Sequence, residues 1–137
     1  MTIESVQKMV EAAKGEIDNI SPAEAARRAS EDGALIVDIR DVREMQRDGA
    51  IPGAMHAPRG MLEFWVSPDS PYAKEIFGED REFVLCCAGG MRSALSAKTL
   101  QDMGLARISH VETGFGGWKA DDMPIETYEE WKANRAR

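Results

Sequence analysis

Apolar residues recur along the chain in two alternating rhythms, one helical and one extended. Val6, Met9, Val10 and Ala13 fall at helical spacing in SVQKMVEAAK, with Gly15 as a stop. EIDNIS then offers a short strand at Ile17 to Ile20, and Ser21 followed by Pro22 reads as the N-cap and first turn of a second helix. GALIVDIR is a compact apolar run of the kind buried on both faces of a sheet, and it ends in Asp38. Asp41 is placed to cap a short helix through Val42 and Met45 that Gly49 terminates. IPGAMHAP reads as a turn feeding a strand from Ala54 to Ala57, closed by Pro58.

From Arg59 to Asp80 the rhythm loosens and prolines interrupt it, which predicts a surface excursion with one or two short helices. REFVLCC is the second strong strand. MRSALSAKTLQDMG is the clearest helix, with Ala94, Leu95, Ala97, Leu100 and Met103 as its apolar face and Gly104 closing it. RISHVE is a weaker strand leading to TGFGGWKADDMP, and IETYEEWKANRAR is a terminal helix with a basic C-terminal end. Repeated alternation of strand and helix predicts an α/β fold, a mostly parallel sheet covered by helices.

At 137 residues the chain has the size of one domain, with residues 1–15 as an N-terminal helical extension and 125–137 as the C-terminal helix. A hydrophobic content of 43% with 30% charged residues is ordinary for a water-soluble chain, and no apolar run reaches the ~20 residues of a membrane span. The opening segment lacks the build of a secretory signal, so a cytoplasmic protein is expected. A net charge of -7 with no long basic run argues against a nucleic-acid surface. The two cysteines, Cys86 and Cys87, are adjacent and do not staple distant parts of a fold, so reduced thiols are expected.

Those cysteines carry the candidate chemistry. The strand FVLCC runs through AGGM into a helix starting near Arg92, and ligands of open parallel sheets bind at such strand ends. Gly89 and Gly90 permit a tight loop whose successive N–H groups form a nest for an anion, and the following helix aims its positive end at the same point. A thiol of ordinary pKa ~8.5 gains thiolate character in such surroundings. Spacing alone leaves both cysteines open: counted from Cys86 the loop to Arg92 and Ser93 has the length seen in cysteine-dependent phosphatases, and from Cys87 it is one residue shorter.

Taken together, ALIVDIRDVREMQRDGAIPGAMHAPRG, FVLCCAGGMRSALSAKTLQDMG and VETGFGGWK resemble the rhodanese family, specifically its single-domain sulfurtransferases. The resemblance covers most of the chain from about residue 17 to 118. It implies a rhodanese-like three-layer fold with a central, mostly parallel five-stranded sheet flanked by helices. Asp38 and Arg40 match the D-x-R that ends the second strand in that family, Ile51 to Ala54 its I-P-G-A, Cys87 to Ser93 its loop, and Gly116, Gly117 and Trp118 its GGW.

By that match Cys87 is the nucleophile and Cys86 an ordinary strand residue. The implied activity is sulfur transfer through a Cys87 persulfide, from a small-molecule donor such as thiosulfate or a persulfide to a thiol or cyanide, with a protein as a further kind of acceptor and with no cofactor or metal. Ala88, Gly89, Gly90, Met91, Arg92 and Ser93 would hold the anionic sulfur. Arg92 faces the bound anion or braces the loop against a carboxylate such as Asp38; Arg40 is expected to pair with Glu44. Arg59, just past the third strand, is placed to guide an anionic donor. Phe64, Trp65 and Trp118 are candidates for the pocket wall or for core. His56 and His110 have no ligand-spaced partners, which favours strand-edge packing or exposure over a metal.

Two features depart from the family pattern. Ala50 stands where a histidine is usual, and Ala88 stands where a basic or polar residue is common, so thiosulfate would rely on backbone donors and Arg92. The alternatives are a cysteine phosphatase or arsenate reductase using Cys86, for which no acid motif is evident, and a non-catalytic binding module, whose usual mark is loss of the loop cysteine.

Overall fold

The computed structural model describes residues 2–135; the outer ends of the expected extension and terminal helix, residue 1 and residues 136–137, lie outside it. Among the described residues five strands, β1 (Asp18–Ile20), β2 (Leu35–Asp38), β3 (Met55–His56), β4 (Phe83–Cys86) and β5 (Ile108–Val111), form one sheet in the order β1-β5-β4-β2-β3. Every pairing is parallel. The α-helices described around it are α1 (Val6–Lys14), α2 (Pro22–Glu31), α3 (Val42–Asp48), α4 (Leu62–Val66), α5 (Met91–Asp102), α6 (Gly114–Ala120) and α7 (Tyr128–Arg135).

The central strand explains the layering. All four residues of β4 are buried, because a parallel strand covered on both faces has no polar side to show. Its alternate side chains divide between two cores. Val84 and Cys86 join Ile36, Ile51 and the α6 residues Phe115 and Trp118, under Ala25 of α2. Phe83 and Leu85 face the other way with Val37, Leu62 of α4, and Ala97 and Leu100 of α5. Helix α1 rests on α5 through Val10, Ala13 and Ala94, and Met45 and Ala50 pack under Trp131 of α7.

Helix starts follow local chemistry. Ser21 Oγ accepts from Glu24 N at 3.1 Å, and Asp41 with Glu44 completes a reciprocal capping box at the head of α3. Helix α7 begins at Tyr128, later than the pattern suggested, because Glu126 is drawn into a bridge with Ala50 and Thr127 exchanges hydrogen bonds with Glu130.

Several expectations are corrected. TGFGGWKADDMP contains α6, whose three glycines hid it from a propensity reading. Val6, Met9 and Met103 are exposed, so their places on apolar stripes do not translate into core. The 59–80 excursion is anchored by two core residues, Leu62 and Phe77, although most of it lies at the surface.

Candidate active site

Consecutive residues of an extended strand point to opposite sides, and this separates the two cysteines. Cys86 belongs to the core that contains Phe115 and Trp118, fully buried. Burial, with the Asp38 carboxylate nearby, pushes its thiol well above the ordinary range. Cys87, the first residue past β4, turns to the other side, where the loop curls around its sulfur. Sγ accepts hydrogen bonds from Gly90 N at 3.1 Å and Ser93 N at 3.4 Å. Those are the loop amides that reach it, a narrower set than the whole of Ala88 to Ser93.

Glycines shape the loop for specific reasons. Gly90 has φ +96°, and a Cβ there would lie 2.0 Å from Glu112 O. Gly89, by contrast, has open space around it and needs no positive φ. The loop is held from behind by α6: Phe115 N donates to Cys87 O at 2.7 Å and Gly116 N to Ala88 O at 3.0 Å. Gly114, at φ +67°, lets that approach happen, since a Cβ would sit 2.7 Å from Cys87 O. Helix α6, missed in the sequence, is thus the loop's anchor.

A buried polar chain continues from the sulfur. Cys87 Sγ donates to Ser93 Oγ at 3.4 Å, Ser93 Oγ lies 2.8 Å from His110 Nδ1, and His110 Nε2 lies 2.7 Å from Asn19 Oδ1. Asn19 uses its amide nitrogen on Lys14 O, so its oxygen is the acceptor and His110 Nε2 carries the proton. His110 Nδ1 therefore accepts from the Ser93 hydroxyl. Burial, helped by nearby Lys14, lowers the imidazole pKa to about 4, in keeping with a neutral ring. The only sequence signal was a histidine inside an apolar strand. His56 is half-buried, and its Nε2 donates to Arg40 O at 2.7 Å.

The arginines exchange the partners expected of them. Arg40, fully buried, turns back on Asp38 (Nη2 to Oδ2, 2.7 Å), donates to Gly49 O at 2.8 Å, and lies over the Phe115 ring at 3.9 Å. Arg92 instead reaches Glu44, Nη1 to Oε1 at 2.8 Å and Nη2 to Oε2 at 3.0 Å. Strand geometry puts Asp38 and Arg40 on the same side two residues apart, and Glu44 stands on the first turn of α3 facing the loop.

This combination, a strand-end cysteine wrapped by a loop that closes on an arginine with D-x-R on the neighbouring strand, coincides with a family match. Residues 21–121 match the rhodanese-like domain. The chain belongs to that family. Bacillus subtilis "Putative sulfurtransferase YtwF" is 32% identical over 110 residues, 80% of this chain and 97% of that protein. Thiosulfate sulfurtransferase GlpE of Actinobacillus pleuropneumoniae serotype 5b (strain L20) is 30% identical over 108 residues, 79% of this chain and 92% of that one. A solved structure from Rhodopseudomonas palustris CGA009, a protein of unknown function and possible tyrosine phosphatase, superposes with a TM-score of 0.87 at 50% identity, covering 92% of this chain and 98% of that one.

In this rhodanese-like chain the cysteine lies at the floor of a cavity of about 370 Å³ lined by Val6, Cys87, Gly89, Met91, Arg92 and Leu95. Larger hollows of about 620 and 540 Å³ lie elsewhere and include no loop residue. None of the suggested aromatic residues lines the cavity: Phe64 is exposed beside Tyr72, Trp65 lies under Lys74, and Trp118 is buried with its indole N–H on Pro124 O. Arg59 is outside it too, its guanidinium paired with Glu63 at 2.7 Å. Ala50, at the usual histidine position, fits beneath Trp131, whose indole N–H donates to Ala54 O at 2.8 Å. Among the described residues no cluster of three or more His, Cys, Asp or Glu side chains forms a metal-binding group, and no helix is long and apolar enough to cross a membrane.

Proposed function

We propose that the chain is a rhodanese-type sulfurtransferase and that Cys87 carries the transferred sulfur. The observation that supports this most strongly is the division of the two cysteines: Cys87 Sγ sits among the Gly90 and Ser93 N–H groups at a strand end, while Cys86 is sealed in the opposite core with its ionisation suppressed. The curated relatives named as sulfurtransferases favour the same reaction class.

The first step is an exchange at sulfur. Cys87 thiolate attacks the outer sulfur of a donor, a new Sγ–S bond forms, the donor's S–S bond breaks, and the leaving group departs with the electron pair. With thiosulfate the leaving group is sulfite and the enzyme keeps an anionic persulfide. A second nucleophile, a thiolate or cyanide, then attacks the outer sulfur and restores Cys87 thiolate. The loop amides and the positive end of α5 stabilise the anionic sulfur before and after transfer. Arg92, anchored on Glu44, braces the loop more than it reaches for substrate. Against a phosphatase built on Cys86 stands that residue's burial on the wrong face of the sheet.

Intact-mass measurement after treatment with thiosulfate or an organic persulfide tests the assignment. A gain of one sulfur is expected in the wild type and in Cys86→Ser, and none in Cys87→Ser. Loading that follows Cys86 instead would overturn it, and release of phosphate from an aryl phosphate would favour the phosphatase.

A further inference from the structure

Whatever sulfur compound meets Cys87 must pass through the cavity above it, and the described lining of that cavity is mostly uncharged. Cys87 is 1% exposed, so its sulfur forms the floor. Val6, Met91 and Leu95 contribute apolar walls, and Gly89 contributes backbone. Val6 is 52% exposed and Met91 44%, which leaves their hydrocarbon facing the opening instead of the core. Among the described residues Arg92 is the one charged side chain in the lining, and both ends of its guanidinium fork are taken by Glu44. The pair adds no net charge.

The wall formed by Val6 has a separate origin. It stands at the first turn of α1, before the 21–121 stretch that matches the family, and α1 is held in place by Val10 and Ala13 packing on Ala94 of α5. The same contact that docks the helix therefore brings an extra apolar side chain to the mouth.

We infer that the preferred partners of Cys87 are low-mass organic persulfides and thiols with an apolar substituent, which packs against Val6, Met91 and Leu95, and that Val6 and Met91 determine this specificity. The inference rests on Cys87 as the sulfur carrier. Thiosulfate brings two negative charges to a mouth that, among the described residues, is lined by no unpaired cation, on a chain of net charge -7, and desolvating such charges without a partner is costly. An organic persulfide R–S–SH presents its outer sulfur to Cys87 while R leaves water for the apolar wall. The step balances as an exchange: Cys87 thiolate bonds to the outer sulfur, the S–S bond of R–S–SH breaks, and R–S⁻ leaves with the electron pair and no net oxidation. Its reverse delivers sulfur to an apolar thiolate, so one wall serves both half-reactions.

The test compares the rate of sulfur loading, by intact mass, from benzyl persulfide and from thiosulfate in the wild type, Val6→Lys and Met91→Lys. Wild type is expected to load about tenfold or more faster from benzyl persulfide, and each lysine variant to shift that ratio about fivefold or more toward thiosulfate. Thermal unfolding of Val6→Lys should match wild type, since the residue is half-exposed. Equal wild-type rates from the two donors, or a ratio unmoved in both variants, would overturn the specificity while leaving Cys87 as the sulfur carrier. Loading from neither donor would overturn the Cys87 reading and this inference with it.

Discussion

Arg92 and Glu44 join two helix starts: the guanidinium at the head of α5 grips, at 2.8 and 3.0 Å, the carboxylate that also completes the capping box of α3. Glu44 thus does two jobs, and its hydrogen bonds with Arg92 hold its carboxyl below the usual range. One job orders a helix, and the other ties down a cation that lines the cavity with Cys87.

Glu44→Gln separates those jobs, because glutamine still completes a capping box but offers no charge. The variant should fold normally and release Arg92 toward the cavity. Its KM for thiosulfate is expected to fall severalfold, with the gain fading as salt is added. Steady-state kinetics at low and high ionic strength check this, and an unchanged or higher KM would show that Arg92 serves the loop only through its brace.

The loop glycines are not equivalent. A Cβ at Gly90 would collide with Glu112 O at 2.0 Å, and the residue sits at φ +96°, whereas Gly89 has nothing within 4 Å. Gly90→Ala should destabilise the fold by at least about 1–3 kcal/mol and lose sulfur transfer, while Gly89→Ala should unfold with the wild-type midpoint. Urea titration of the pair, with loading of Cys87 measured alongside, distinguishes them.

The parts of the site that were legible in the sequence are those in which a residue's role follows from its neighbours in the chain. The β4 apolar run, the Gly-Gly turn and the start of α5 placed the loop, and the family pattern pointed to Cys87, the residue proposed above as the sulfur carrier. The arginine partners were not legible, because Arg40 pairing with Asp38 and Arg92 with Glu44 depends on how β2, α3 and α5 meet. Nor was α6: a helix begun by Gly-Phe-Gly-Gly has poor intrinsic propensity and exists because its first amides find Cys87 O and Ala88 O. Asn19, Ser93 and His110 come from β1, α5 and β5, and only the sheet order unites them.

Arg40 and Asp38 form a fully buried pair, and each would be left as a lone buried charge without the other. Arg40→Ala should cost about 3–5 kcal/mol, since it also strands Gly49 O and uncovers the Phe115 ring. Replacing both members with apolar residues, Asp38→Leu with Arg40→Met, should recover much of that loss. Denaturant unfolding of the single and double variants gives the comparison; additive losses would contradict coupling between the two.

His110 gives the fold a defined acid limit. In the unfolded chain a histidine binds a proton near its ordinary value of ~6.5, whereas in the folded protein burial delays protonation to about 4. Between those values the unfolded state holds the extra proton, so acid favours unfolding: stability is complete above the upper value and declines as pH falls toward the lower. The decline amounts to roughly 3 kcal/mol by pH ~4, at ~1.4 kcal/mol per pH unit. His110→Gln removes the titrating ring, and its stability should fall less steeply over the same interval. Urea unfolding at neutral pH and at two points within the interval measures both slopes. Equal slopes would mean that the ring accepts its proton as readily in the folded protein as in the unfolded chain, and that its bonds to Ser93 and Asn19 give way without cost.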